Sequence, residues 1–204
     1  LYDTYEYYKK FSDGNFVYGT TLSKVNGRLV LRLSEADILP FRFVNMVDNI
    51  GQFIKDNKKL YQVVQQSTEQ RNRLLDNEDF KISRNPKKTY LPPERLPQVP
   101  GFDFKPLDDA FARLTSNAWK YEDALFNFKK GSLSAEKKSE INALLKGVDQ
   151  AFINIEGLPR RDWFKNMMYA PGYYTGYGVK TLPGIREGLE ERQWDEVRKY
   201  IKEV

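Results

Sequence analysis

At 204 residues, with 40% hydrophobic, 14% aromatic and 30% charged residues, the chain can bury one sizeable core, or one core with a short appendage, and its composition is not that of a disordered segment. It contains no His and no Cys, which excludes thiol nucleophiles, disulfides, Ser-His or Cys-His catalysis and zinc sites built on nitrogen or sulfur. The net charge of +5 comes from 33 basic and 28 acidic residues interleaved in nearly every segment, the pattern of a solvated surface rather than of a nucleic-acid face.

The N-terminal quarter opens on the aromatic cluster Tyr2, Tyr5, Tyr7 and Tyr8, of the kind that packs against a neighbouring domain. Starting at Leu1 without Met or a charged-then-apolar leader, the chain reads as a fragment or a processed product. Asn26-Gly27 beside the alternating run Leu29 to Leu33 is a local β-hairpin signal. At a period of 3.6, however, Leu22, Val25, Leu29 and Leu33 share one helical face, with Gly27 costing about 1 kcal/mol. Taken locally, the hairpin is narrowly favoured. Glu35 and Asp37 mark the polar end of this element before the turn at Pro40.

After Pro40, Val44, Val47, Ile50, Ile54, Tyr61 and Val64 recur at helical spacing and predict the first helix. Six of the ten prolines then fall between Pro86 and Pro106. Proline removes a backbone donor and fixes φ, so this stretch is a long extended connection and not a helix or inner strand. Two roles suit it: an ordered crossover on the domain surface, which is the favoured reading, or a docking peptide for an aromatic groove. The local basic excess at Arg84, Lys87, Lys88 and Arg95 reads as a solvated loop.

A second apolar stripe runs through Leu107, Phe111, Leu114, Ala118, Tyr121, Leu125 and Phe128, opened by Asp108 and Asp109 and closed by Gly131. A third comprises Ile141, Leu144, Leu145, Val148, Phe152 and Ile155, with Ser134 as N-cap and Gly157 to Pro159 as the stop. A last amphipathic piece follows Pro183 through Ile185, Leu189, Trp194, Val197 and Ile201. Three long helices and one shorter helix, joined partly by a crossover, predict a mainly α helical bundle.

Between the third and last stripes, Tyr169 to Gly178 holds four tyrosines and three glycines, which predicts an irregular loop with rigid aromatic surface, either packed or part of a binding wall. Lys180-Thr181 brushes against a phosphate-loop pattern, but Val179 stands where that pattern needs Gly. The uncharged stretch from Asn166 to Val179 is too short to span a bilayer. The adjacent acids Asp108-Asp109, Glu190-Glu191 and Asp195-Glu196 point about 100° apart on a helix, so no pair converges on one ion or one bond.

These pieces, in order, resemble a known family. Gly157-Leu-Pro-Arg-Arg161-Asp-Trp-Phe-Lys-Asn166-Met-Met-Tyr169-Ala-Pro171, then Tyr177 and Leu182-Pro-Gly-Ile185, is similar to the C-terminal region of the glutamate carboxypeptidase II and transferrin receptor family. Tyr2-Asp3-Thr4-Tyr5 and Arg28 to Phe41 match it too. The resemblance implies that residues 1–39 are the last segment of a peptidase-like domain, with a helix around Lys24 to Leu33 in place of the hairpin. It implies that residues 40–204 are a helical dimerisation domain with its Pro-rich crossover at about 85–106.

The implied partners are a second copy of the chain, the upstream peptidase-like domain and, in the parent protein, a peptide substrate. Nucleic acid and direct membrane contact are not expected. In the peptidase members a zinc-ligating His lies two residues ahead of the position of Leu1 and the other ligands lie further upstream. This stretch is therefore expected to hold no catalytic residue, no metal and no cofactor, with zinc in the parent's peptidase domain. In those members a tyrosine before Pro-Gly-Ile binds the carboxylate of a C-terminal glutamate, and Tyr177 occupies that position.

Glutamate-preferring members carry Lys where Gly176 stands, a lost charge-assisted contact of about 1.5–3 kcal/mol; Asn166 stands where His is frequent. The Arg-Gly-Asp element of transferrin receptors has no counterpart at Asn127 to Gly131, which argues against transferrin as a ligand. The expected role is thus a dimerisation and substrate-wall domain of a membrane-anchored, lumenal or extracellular metallopeptidase. The alternative is a metal-free receptor or sorting adaptor of the transferrin receptor type.

Overall fold

Helices of very different length account for most of the chain. The computed structural model describes residues 4–89, 91–129 and 132–204; the expectations placed on Tyr2, Asp3 and Gly131 lie outside them. The helices are α1 (Tyr5–Phe11), α2 (Val17–Ser34), α3 (Val44–Asp76), α4 (Asp79–Ile82), α5 (Lys105–Phe126), α6 (Ala135–Gly147), α7 (Pro183–Glu190) and α8 (Trp194–Glu203). A 3-10 turn (Val148–Phe152) follows α6, and the strands β1 (Tyr169–Pro171) and β2 (Val179–Thr181) precede α7. The mainly α architecture read from the apolar stripes is therefore the observed one. Among the described residues no helix is long and apolar enough to cross a membrane.

The chain divides into two compact units. One contains the described residues of Leu1–Phe41 and Phe128–Gly147. Its α1 starts at Thr4, whose hydroxyl accepts from the Tyr7 amide. The buried Asp13 carboxylate accepts from the amides of Val17 and Gly19 at 2.8 Å each, satisfying donors that the first turn of α2 leaves free. That anchor, with the 3.6-residue stripe behind it, makes this segment a helix and overturns the local hairpin reading. Asn26-Gly27 sits within α2, and a Cβ on Gly27 would meet nothing within 4 Å, so the pair is a helical cost rather than a turn. In the same unit, Asn142 of α6 receives the Leu39 amide at 2.8 Å and donates to the Asp37 carbonyl at 3.1 Å. Lys138 pairs with the Asp37 carboxylate at 2.9 Å. Asp37 thus ties down the end of the N-terminal segment, the place its charge next to Ile38-Leu39-Pro40 indicated.

The second unit contains Arg42–Asn127 and Val148–Val204. Its core gathers Ile50 and Ile54 of α3, Leu107 of α5, Met168, Ala170 and Leu182 around the strands, and Ile185, Leu189, Val197, Tyr200 and Ile201 of the last two helices. Each of the Val, Leu, Ile and Met side chains among them contributes about 1.5–3 kcal/mol when fully buried. Close approach is possible where the sequence supplies glycine. A Cβ on Gly51 would stand 2.8 Å from the Phe111 ring, and one on Gly184 only 2.3 Å from Tyr200.

The last amphipathic stripe is two helices rather than one. Arg192 takes a left-handed φ of 59° and breaks it, and its guanidinium then donates to the buried Thr68 hydroxyl of α3 at 2.6 Å. The third stripe is likewise shorter than its periodicity: α6 stops at Gly147, a single 3-10 turn carries the chain to Phe152, and Ile155 is exposed. The extended stretch after α4 is ordered along α3. Asn72 donates to the Leu96 carbonyl at 2.8 Å and accepts from its amide at 3.0 Å. Tyr61 donates to the Pro100 carbonyl at 3.0 Å, and Arg95 pairs with Asp76. Proline leaves no donor for a ladder, so the anchor is a side-chain amide that supplies both a donor and an acceptor.

Candidate functional site

The tyrosine-rich segment is a short antiparallel hairpin standing on the core of the second unit. β1 and β2 pair Tyr169 with Thr181, Ala170 with Lys180 and Pro171 with Val179. Ala170 and Leu182 are buried at its foot, and the Leu182 amide donates to the Met168 carbonyl at 2.8 Å. Asn166 closes the turn ahead of β1, its side-chain oxygen accepting from the amides of Met168 and Tyr169 at 2.8 and 3.2 Å. From α3, the buried Asn57 donates to the Thr181 carbonyl at 3.4 Å.

Between the strands the chain turns tightly, with the Gly172 amide bonded to the Gly178 carbonyl at 2.8 Å and the Gly176 amide to the Gly172 carbonyl at 3.1 Å. Gly176 needs its freedom, with φ at +59°, a region that costs most side chains about 1–2 kcal/mol. Tyr177 follows it at the tip and is 102% exposed, with Tyr174 at 79%. Tyr173 and Tyr174 meet edge to face at 4.7 Å. The two site residues read from the sequence, Gly176 and Tyr177, are thus neighbours at the most protruding point of the hairpin.

The brace that holds this loop was not singled out from the sequence. Arg161 and Glu187, with side chains only 2% and 6% exposed, form a bidentate pair at 3.1 and 2.5 Å. Glu187 also accepts from the Tyr173 amide at 2.8 Å, so one carboxylate joins the Gly157 to Arg161 turn, α7 and the base of the tyrosine loop. The guanidinium groups of Arg160 and Arg161 lie 5.4 and 5.9 Å from the centre of the Tyr173 ring, within cation-π range. The sequence signal is weak, because Arg186 stands beside it, but in the structure Glu187 is the acid on the face of α7 that buries Pro183, Gly184, Ile185, Gly188 and Leu189. An acid on a buried face needs a cation, and Arg161 supplies it.

The other charges flanking the loop are paired as well. Lys180 reaches both oxygens of Glu190 at 2.9 and 2.8 Å, and Arg186 meets the same carboxylate at 3.1 Å. Arg160 is bonded to Glu196 at 2.7 Å and lies 3.6 Å from Glu191. Burial pulls the Arg160 guanidinium downward, but the hydrogen bond and charge of Glu196, helped by Glu191 and Glu187, raise it above its ordinary value. Burial pushes the Tyr200 phenol up; its hydroxyl donates to the Gly157 carbonyl at 3.3 Å.

The adjacent acids face separate cations. Asp108 meets Lys58 at 2.6 Å, Asp109 meets Lys105 at 2.7 Å, and Asp195 meets Arg198 at 2.8 Å. Among the described residues no group of three or more acidic side chains is placed to hold a metal ion.

Residues 102–204 match the family model described as the transferrin receptor-like dimerisation domain. The chain is 24% identical over 211 residues to the probable glutamate carboxypeptidase LAMP1 of Arabidopsis thaliana, across 100% of this chain and 25% of that protein. It is 24% identical over 123 residues to the inactive zinc metalloprotease C354.09c of Schizosaccharomyces pombe, across 54% of this chain and 15% of that protein. With vacuolar protein sorting-associated protein 70 of Saccharomyces cerevisiae it shares 35% identity over 74 residues, 36% of this chain and 9% of the relative. The chain thus spans no more than a quarter of the length of these relatives.

Proposed function

From the premise that this chain belongs to the family of transferrin receptor-like dimerisation domains found in glutamate carboxypeptidase-like proteins, we propose that it pairs with a second copy of itself and lends the tyrosine loop as one wall of a substrate cleft. The cleft belongs to a glutamate carboxypeptidase-like metallopeptidase whose zinc and catalytic groups lie in an upstream peptidase-like domain. The observation that carries the wall reading is the braced hairpin, which holds Tyr177 fully exposed on a rigid base. An unsupported aromatic loop would collapse onto the surface, since rings gain by burial. Here the Arg161–Glu187 pair and the β1–β2 ladder spend buried interactions on keeping the loop upright.

Within this reading the chain binds and orients; it performs no bond-making step. Tyr177 offers a phenolic hydroxyl and a ring face to the end of a peptide, and Tyr173 and Tyr174 extend that surface. Two measurements test the proposal. Sedimentation of the chain at high micromolar concentration should give a dimer, and a monomer would count against self-pairing. Peptide hydrolysis by the intact protein should show a raised KM for Tyr177→Ala, and an unchanged KM would remove the wall.

A second reading rests on the relatives named as an inactive zinc metalloprotease and as a vacuolar protein sorting-associated protein. In it the intact protein is a metal-free adaptor that retains the dimerisation fold. Metal analysis of the intact protein separates the two: zinc near one equivalent per chain or more supports the peptidase, and none supports the adaptor.

A further inference from the structure

Resting on the reading of the tyrosine loop as a substrate wall, we propose that this wall selects peptides whose C-terminal side chain is uncharged and aromatic or apolar, and that it disfavours acidic ones. No charged residue lies between Asn166 and Val179, so the loop itself offers nothing to a ligand carboxylate beyond hydroxyls and amides. Four of the cations around its base are already engaged. Arg161 is locked to Glu187 in the interior, Arg160 holds Glu196 and Glu191, and Lys180 and Arg186 share Glu190. Recruiting any of them to an acidic side chain means breaking an existing pair, and four carboxylates stand close by to repel the newcomer.

The aromatic side of the balance is supplied in full. Tyr169, Tyr174, Tyr177 and Val179 are all exposed on the hairpin, and Tyr173, held from beneath, gives Tyr174 an edge-to-face support at 4.7 Å. An incoming aromatic or branched side chain can lie against these rings with no charge to desolvate. A ring-to-ring contact and the absence of a carboxylate penalty together correspond to a preference of about tenfold.

The test is calorimetric titration of the intact protein with the dipeptides Ala-Phe and Ala-Glu. Wild type is expected to bind Ala-Phe about tenfold more tightly than Ala-Glu, and Tyr177→Ala to weaken Ala-Phe. Gly176→Lys places a cation beside Tyr177 and should close or invert the preference. Gly176→Gln, which carries the same backbone strain at φ +59° without the charge, should leave the preference in place. Ala-Glu bound as tightly as Ala-Phe, or more tightly, with both weakened by Tyr177→Ala, overturns the selectivity while the wall stands. Binding of either peptide that ignores Tyr177→Ala, or no binding of either, overturns the wall and the selectivity together.

Discussion

Replacing Glu187 by Gln removes one negative charge at nearly constant volume, from a site where both partners are almost wholly buried. Arg161 keeps its charge and loses its counterion. The amide can accept through one oxygen only and turns a donor toward the guanidinium, so one of the two bonds at 3.1 and 2.5 Å becomes a donor facing a donor. Because Oε1 already accepts from both Arg161 Nη1 and the Tyr173 amide, an oxygen kept there preserves those two bonds and leaves the new NH2 group facing Arg161 Nη2. Breaking a buried pair by removing one partner costs about 3–5 kcal/mol. Solvent screening takes little from that figure because the Arg161 side chain is only 2% exposed. At about 2–4 °C per kcal/mol for a chain of this size, Tm should fall by about 6–20 °C. Differential scanning calorimetry reads this, and near-ultraviolet circular dichroism should report loosening around Tyr173 and Tyr174. The double variant Arg161→Met, Glu187→Leu removes both charges and should recover most of the loss. A Glu187→Gln chain that unfolds within about 1 kcal/mol of wild type would refute the reasoning, since a buried guanidinium cannot lose its partner so cheaply.

Three further outcomes follow from the packing and the charges. Gly184→Ala places a methyl 2.3 Å from the rigid Tyr200 ring and should lower stability by about 1–3 kcal/mol; the urea midpoint should drop at unchanged slope, and the same substitution should cost little when added to Tyr200→Ala, which removes the ring atoms it meets. Asn72→Ala removes both bonds to Leu96 and should expose the crossover, so hydrogen exchange at Leu96 should quicken while exchange in α7 stays slow; equal change in both would show global unfolding instead. Burial raises the phenol pKa of Tyr200 and of Tyr121, so the folded state holds these protons longer than the unfolded state does. Stability is then level below the ordinary tyrosine value of about 10 and falls as pH rises through the raised values. The urea midpoint should decline from pH 9.5 to pH 11, less steeply in Tyr200→Phe, and a rising midpoint would reverse the assignment.

The long elements were legible because their signals are local. Pro106 sits in the first turn of α5 and Pro40 shortly ahead of α3, and the apolar stripes behind them name Val47, Ile50, Ile54, Leu107 and Ala118, all buried as their spacing implies. α2 was misread locally because Asn-Gly is equally a turn and a tolerated helical pair, and the deciding contact is Asp13, several residues upstream. The break at Arg192 left no trace in the apolar stripe, since a left-handed arginine is maintained by tertiary bonding to Thr68 on a distant helix. Tyr177 and Gly176 were identified through family resemblance, and geometry adds their exposure and shared position at the hairpin tip. The Arg161–Glu187 brace spans two segments that share no sequence pattern, so its residues were visible singly and its pairing was not.

Helix α3 runs for 33 residues, a rod of about 50 Å at 1.5 Å per residue. Asn57 midway along it touches the strand that carries the tyrosine loop, while Thr68 and Asn72 further on grip Arg192 and the crossover. A rod held at such separated points is a common frame: the hairpin strand, the turn between α7 and α8 and the crossover all hang on one element, so their mutual spacing is set by the straightness of α3 between Asn57 and Asn72.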